Sequence, residues 1–134
     1  MIKDIKIPEV KNVTLAVARV QNIGESDEWK VYLINNNEHP IENTLVSSKG
    51  YGVQDGEQQK TSILRHYLAT IDAHAAVLIE PIDAGVFHLN NEYWVSYYIG
   101  SQIFDKRFVF VPDTINEANL IFIKELEMNG VLHS

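Results

Sequence analysis

Residues 92–99 read EYWVSYYI, residues 100–101 read GS and residues 102–111 read QIFDKRFVFV. Aromatic and β-branched residues recur at alternate positions on both sides of the Gly-Ser pair, and glycine at the first central position suits a type II′ turn. The stretch predicts an antiparallel hairpin of two strands, Glu92 to Ile99 and Gln102 to Val111. Tyr93, Val95, Tyr97 and Ile99 share one face with Phe104, Phe108 and Phe110, and Lys106 interrupts that stripe, which points to a bulge or an edge.

Five upstream segments repeat the pattern, separated by Gly, Asn, Asp and Pro clusters: Asn12 to Gln21, Glu28 to Asn35, Glu42 to Lys49, Thr61 to Thr70 and His74 to Ile82. The first reads as an outer strand. The second carries Trp29, the expected core anchor. In the third, either Leu45 or Val46 points inward; in the fourth the alternation is too loose to choose a buried face; the fifth is apolar enough for burial on both sides. Gly50 to Gln59 reads as a hairpin loop in which Gly50 and Gly52 supply positive φ. Beyond Pro112, a Thr114 to Met128 helix, capped by Thr114 with Glu117 and stopped by Asn129-Gly130, competes with a short helical turn followed by an extended Leu120 to Ile123.

About seven strands with closely spaced turns, in a chain of 134 residues without a linker or repeat, predict one domain over 1–134. The expected fold is mostly β, an immunoglobulin or fibronectin-III-like antiparallel sandwich with a C-terminal segment, helical or extended, over 112–134. No cysteine is present, so disulfides, thiolate zinc sites and cysteine nucleophiles are excluded. Eleven Lys plus Arg stand against eighteen Asp plus Glu, a formal charge of -7. With no basic run longer than Lys106-Arg107, neither nucleic acid nor an anionic membrane is an expected partner. The N-terminal MIKDIKIPEVK lacks the apolar run of a signal peptide, so a cytoplasmic location is expected for a chain without a removed leader.

The segments Ile5-Lys6-Ile7-Pro8-Glu9-Val10-Lys11-Asn12-Val13, Tyr32-Leu33-Ile34-Asn35-Asn36-Asn37, Ser48-Lys49-Gly50-Tyr51, Leu89-Asn90-Asn91-Glu92 and Gly130-Val131-Leu132-His133 give the chain a resemblance to a small uncharacterised bacterial protein family. The resemblance implies a single immunoglobulin-like sandwich. Some members carry a phenylalanyl-tRNA synthetase label, which implies a translation-accessory role. A synthetase core needs arginines for phosphate and a basic face for tRNA, so the label transfers no residue to this short acidic chain.

Candidate chemistry is sparse. His39, His66, His74, His88 and His133 hold no metal-binding spacing, though His66 and His74 are placed to face each other across the turn between the fourth and fifth strands, and with nearby carboxylates they define the enzyme or metal alternative. Glu80 with Asp83, and Asp55 with Glu57, are the available carboxylate pairs. Ser47-Ser48-Lys49-Gly50 is no nucleophile elbow, and Lys49-Gly50-Tyr51-Gly52 is no phosphate loop. No catalytic, cofactor-binding or metal-ligating residue is therefore assigned. Strand alternation sends Trp94 and Tyr98 to the face opposite Tyr93 and Tyr97, as an aromatic patch suited to a protein partner. The expected role is non-catalytic protein binding or scaffolding, with a homodimer through an edge strand, Asn12 to Gln21 or Gln102 to Val111, as one form of it.

Overall fold

The computed structural model describes residues 8–134, so the opening of the family-like segment, up to Ile7, lies outside the described residues. Ten strands follow in order: β1 (Val13–Val20), β2 (Glu28–Asn35), β3 (Ile41–Gln54), β4 (Glu57–Lys60), β5 (Leu64–Ile71), β6 (Ala75–Pro81), β7 (Asn90–Ile99), β8 (Gln102–Phe110), β9 (Ile121–Ile123) and β10 (Met128–His133). Two single-turn 3-10 helices, Ala84–Val86 and Glu117–Asn119, interrupt the connections. The strands form two antiparallel sheets, a β-sandwich with more strands than the seven expected. One sheet runs β6-β2-β1-β10-β9; the other runs β4-β3-β7-β8, with β5 following β4 along the same edge of β3.

Alternation builds the core. Leu15, Val17, Val31 and Leu33 of the first sheet meet Val46, Tyr93, Val95, Tyr97, Phe108 and Phe110 of the second. Side chains of this size stabilise by roughly 1.5–3 kcal/mol each when fully buried. Tyr97 stacks on Phe104 with centroids 5.2 Å apart, and Tyr93 meets Phe110 edge to face. Trp29 is not a central anchor: it is partly buried and closes one end of the sandwich against Phe87.

The β7–β8 hairpin forms in the expected register around Gly100, whose φ is +60°. That register runs without a bulge from Asn91 to Ile99, so Lys106 marks an edge strand. Several expectations are corrected. β1 is the central strand of its sheet, its backbone paired to β2 on one side and β10 on the other, and its small Ala16 is covered on the outer face beside Ile34 and Ile123; it is no outer strand, and the Asn12 to Gln21 edge proposed for dimerisation does not exist. β6 is an edge strand that buries Ile79 and exposes Leu78. Val46, not Leu45, points inward.

The expected Gly50 to Gln59 loop is mostly strand. β3 continues to Gln54, the chain reverses at Asp55-Gly56, both with positive φ as a type I′ turn requires, and β4 pairs back. Gly50 and Gly52 have no positive φ; they keep a close approach, since a Cβ on Gly50 would stand 3.0 Å from Thr61 Cγ2. The C-terminal segment takes the extended alternative. Asn116, rather than Thr114, caps the Glu117–Asn119 turn by accepting from the Asn119 amide, and Asn129-Gly130 lies inside β10 instead of stopping a helix. No described helix is long and apolar enough to cross a membrane.

Candidate functional site

Two surfaces bring together residues with chemical potential. The first lies at the open seam between the sheets, where β6 of one runs past β5 of the other. A β-bulge in the β2–β6 pairing, where Val31 faces Glu80 but Tyr32 faces Leu78, turns Glu80 inward beside the buried Ile79, and its carboxylate crosses the seam. Oε1 accepts hydrogen bonds from Ser48 Oγ on β3 at 2.8 Å and from His66 Nε2 on β5 at 2.7 Å; Oε2 accepts from the Tyr93 hydroxyl on β7 at 3.2 Å. One side chain of the first sheet is thus tied to three strands of the second. Burial, reinforced by the Glu80 charge and hydrogen bond, pushes the Tyr93 hydroxyl far above the ordinary phenol range. A cleft of about 300 Å³ opens beside the cluster, lined by Ser48, Thr61, Glu80, Asp83, Asn91 and Tyr93 among others.

The histidines do not converge. His74 sits in the β5–β6 turn and meets Glu38 at 3.0 Å, so it does not face His66, which is taken by Glu80. His88 contacts Gln59, His133 packs on the rings of Phe108 and Phe110, and His39 reaches only the Pro40 carbonyl. Among the described residues, no group of three or more His, Asp or Glu side chains could hold a metal ion. Asp83 is occupied in accepting from the Gly85 amide, and Asp55 and Glu57 flank an exposed turn. Asn91, which also lines the cleft, spends its side-chain N–H groups on the carbonyls of Val86 and Leu89.

The second surface is the outer face of the β5-β3-β7-β8 sheet. Trp94 and Tyr98 emerge there from β7, 43% and 37% exposed. Register places Tyr98 between Glu42 and Ile103, Ser96 between Leu45 and Asp105, and Trp94 between Ser47 and Arg107; Leu45 and Ser47 in turn adjoin Tyr67 and Arg65 of β5. Leu45, Tyr67 and Ile103 are 51%, 60% and 47% exposed, so five large apolar side chains share one face. The small Ser47 and Ser96 leave a slot of about 200 Å³ walled by Leu45, Arg65 and Trp94. Tyr67 is held down by its hydroxyl, which donates to Asn43 Oδ1 at 2.8 Å.

The aromatic pair was legible in the sequence; its neighbours were not. Leu45, Tyr67 and Ile103 join the patch through cross-strand register, which is irregular at the bulge between Glu42 and Leu45, where Asn43 has φ +50°. A positive φ at Asn is a signal that sequence reading notices only once the flanking strands are paired. Comparison with known proteins adds nothing to the geometry: no protein-family model, curated protein or solved structure matches the chain.

Proposed function

We propose that the chain is a non-catalytic protein-binding module that works through the outer face of β5, β3, β7 and β8, with Trp94 and Tyr98 at its centre. The observation that carries this reading is the contiguity of Leu45, Tyr67, Trp94, Tyr98 and Ile103, all substantially exposed on one sheet face. Single exposed apolar residues are ordinary, but a contiguous set with aromatic anchors is the composition of a protein interface. The matching partner surface is flat and apolar, with charges of both signs at its rim. An immunoglobulin-like assignment belongs to the same reading. It is supported by the neighbours β1-β2-β6 in one sheet and β8-β7-β3 in the other, which follow the order of such sandwiches. A cytoplasmic location agrees with the absence of cysteine.

The test is capture of partners at native abundance by the tagged protein and by a Trp94→Ser/Tyr98→Ser variant with an unchanged melting curve. A reproducible partner that the variant loses supports the reading. A partner retained by the variant, or no association of any kind, removes it.

One observation favours a second reading, a small enzyme: the convergence of Ser48, His66 and Tyr93 on Glu80 beside a cleft. Ser48 and His66 both address the same oxygen, so His66 does not accept the Ser48 proton, and among the described residues Glu80 is the base in contact with that hydroxyl. Turnover in an ester and amide hydrolysis screen that disappears in Glu80→Gln supports this reading; an inert wild type disposes of it.

A further inference from the structure

The charges on the outer sheet face are unlike those of the rest of the molecule. Among and beside the five apolar side chains stand three cations, Lys49, Arg65 and Arg107, and three acids, Glu42, Glu92 and Asp105. They cancel, so the whole -7 of the chain lies elsewhere. Lys49 and Arg107 both reach Glu92, at 3.5 and 3.7 Å. Among the described residues, Arg65, Glu42 and Asp105 have no ion-pair or side-chain hydrogen-bond partner.

A chain with this much negative charge repels its own copies over most of its surface. The neutral outer face is a place where two copies can approach without that penalty, and there each also presents Trp94 and Tyr98. We propose that a second copy of this chain docks on this face, forming a two-fold homodimer with sheet packed on sheet; the proposal rests on the protein-binding reading above and names the occupant. An isologous contact needs a self-complementary patch, and a patch of balanced sign has that property whereas a purely acidic one does not. A two-fold axis along the strands lays β5 of one copy over β8 of the other. Arg65 then lies in the same row as Arg107 of the other copy and one row, about 7 Å, from the unpaired Asp105, so the dimer requires sheets that cross at an angle carrying Arg65 away from Arg107 towards Asp105, twice per dimer.

Size sets the expected strength. Four strands about 4.8 Å apart and about nine residues long give a face of roughly 600 Å² per copy. Two such faces bury about 1,200 Å², the lower end of what specific interfaces use. The dimer is therefore a reversible one.

Sedimentation velocity from about 1 µM to about 500 µM brackets the dissociation of an interface of this size. The expected result is a concentration-dependent monomer–dimer equilibrium. Trp94→Ser weakens it by about tenfold or more, as loss of a central aromatic anchor does. Arg65→Glu, which leaves the face net negative, weakens it as well. Lys124→Glu makes the same change in total charge at the exposed β9–β10 turn and leaves the equilibrium essentially unmoved. A monomer throughout overturns the proposal, as does a dimer indifferent to Trp94→Ser and Arg65→Glu, or one weakened equally by Lys124→Glu. If the protein stays monomeric while Trp94→Ser/Tyr98→Ser still loses a captured partner, only the homodimer fails and the binding face stands.

Discussion

Glu80 is the side chain on which the two sheets depend most directly. It is an acid on an edge strand, yet only 11% of its side chain is exposed, and it accepts from β3, β5 and β7 at once. Removing the shared acceptor strands three donors, two of them largely shielded from water, whereas removing one donor leaves the carboxylate with two others. Glu80→Ala is therefore expected to cost about 2–4 kcal/mol and Ser48→Ala about 1 kcal/mol, read from urea unfolding. A smaller loss in Glu80→Ala than in Ser48→Ala contradicts the clasp. The core tyrosines make a second expectation. Burial pushes the Tyr97 hydroxyl from 10.0 up to about 12. The unfolded chain loses this proton first on the alkaline side, so the native state holds more protons there and stability, fully present below pH 10, falls as pH rises from about 10 towards 12. Tyr97→Phe flattens that part of the alkaline decline in the urea midpoint; an unchanged decline excludes Tyr97 as its source.

At the scale of elements, the strands differ in how far local sequence specifies them. β7 and β8 carry their own turn, alternation and aromatic pairs, and they form as read. β8 also carries its own protection: Lys106 points inward from the middle of an edge, with its ammonium 4.8 Å from the Phe108 ring centroid, an arrangement that discourages another strand from adding there. The expected edge-strand dimer through Gln102 to Val111 has to overcome that device, which counts in favour of the sheet face in the dimer proposed above. β10 is the opposite case. Its Gly130 lies against β1 so closely that a Cβ would stand 2.6 Å from the Val17 carbonyl oxygen and 2.7 Å from Ile123 Cδ1. The backbone oxygen sits in a central strand that cannot shift, so Gly130→Ala is expected to cost about 1–3 kcal/mol in a thermal or urea melt. A neutral result would mean that β1 and β10 separate more easily than their pairing implies.

At the scale of the molecule, the C-terminal segment completes the first sheet. β10 pairs with Leu15 to Ala18, and Ile123 with Leu126 covers Ala16 and Ile34 on the outer side, as a second small core. Ending the chain at Pro112 strips β1 of a neighbour and uncovers side chains that are otherwise fully buried. Such a protein is expected to lose its cooperative unfolding transition and the dispersed amide signals of a packed sandwich. Retention of both would show that β9 and β10 are an accessory layer.

The sequence by itself determined the β class, the β7–β8 hairpin and its turn, and the opposite facing of Tyr93 and Trp94, because each depends on period-two alternation and on local turn chemistry. Trp94 and Tyr98 were legible for the same reason. Only tertiary structure decided that β1 is central, that Gly50 and Gly130 serve close approach, and that Leu120 to Ile123 extends instead of coiling, since each outcome depends on a neighbour distant in the chain. The seam cluster shows the limit most clearly. Ser48, His66, Glu80 and Tyr93 are spread over 46 positions with no recognisable spacing, and it is the stacking of one sheet on the other that brings three donors to one carboxylate.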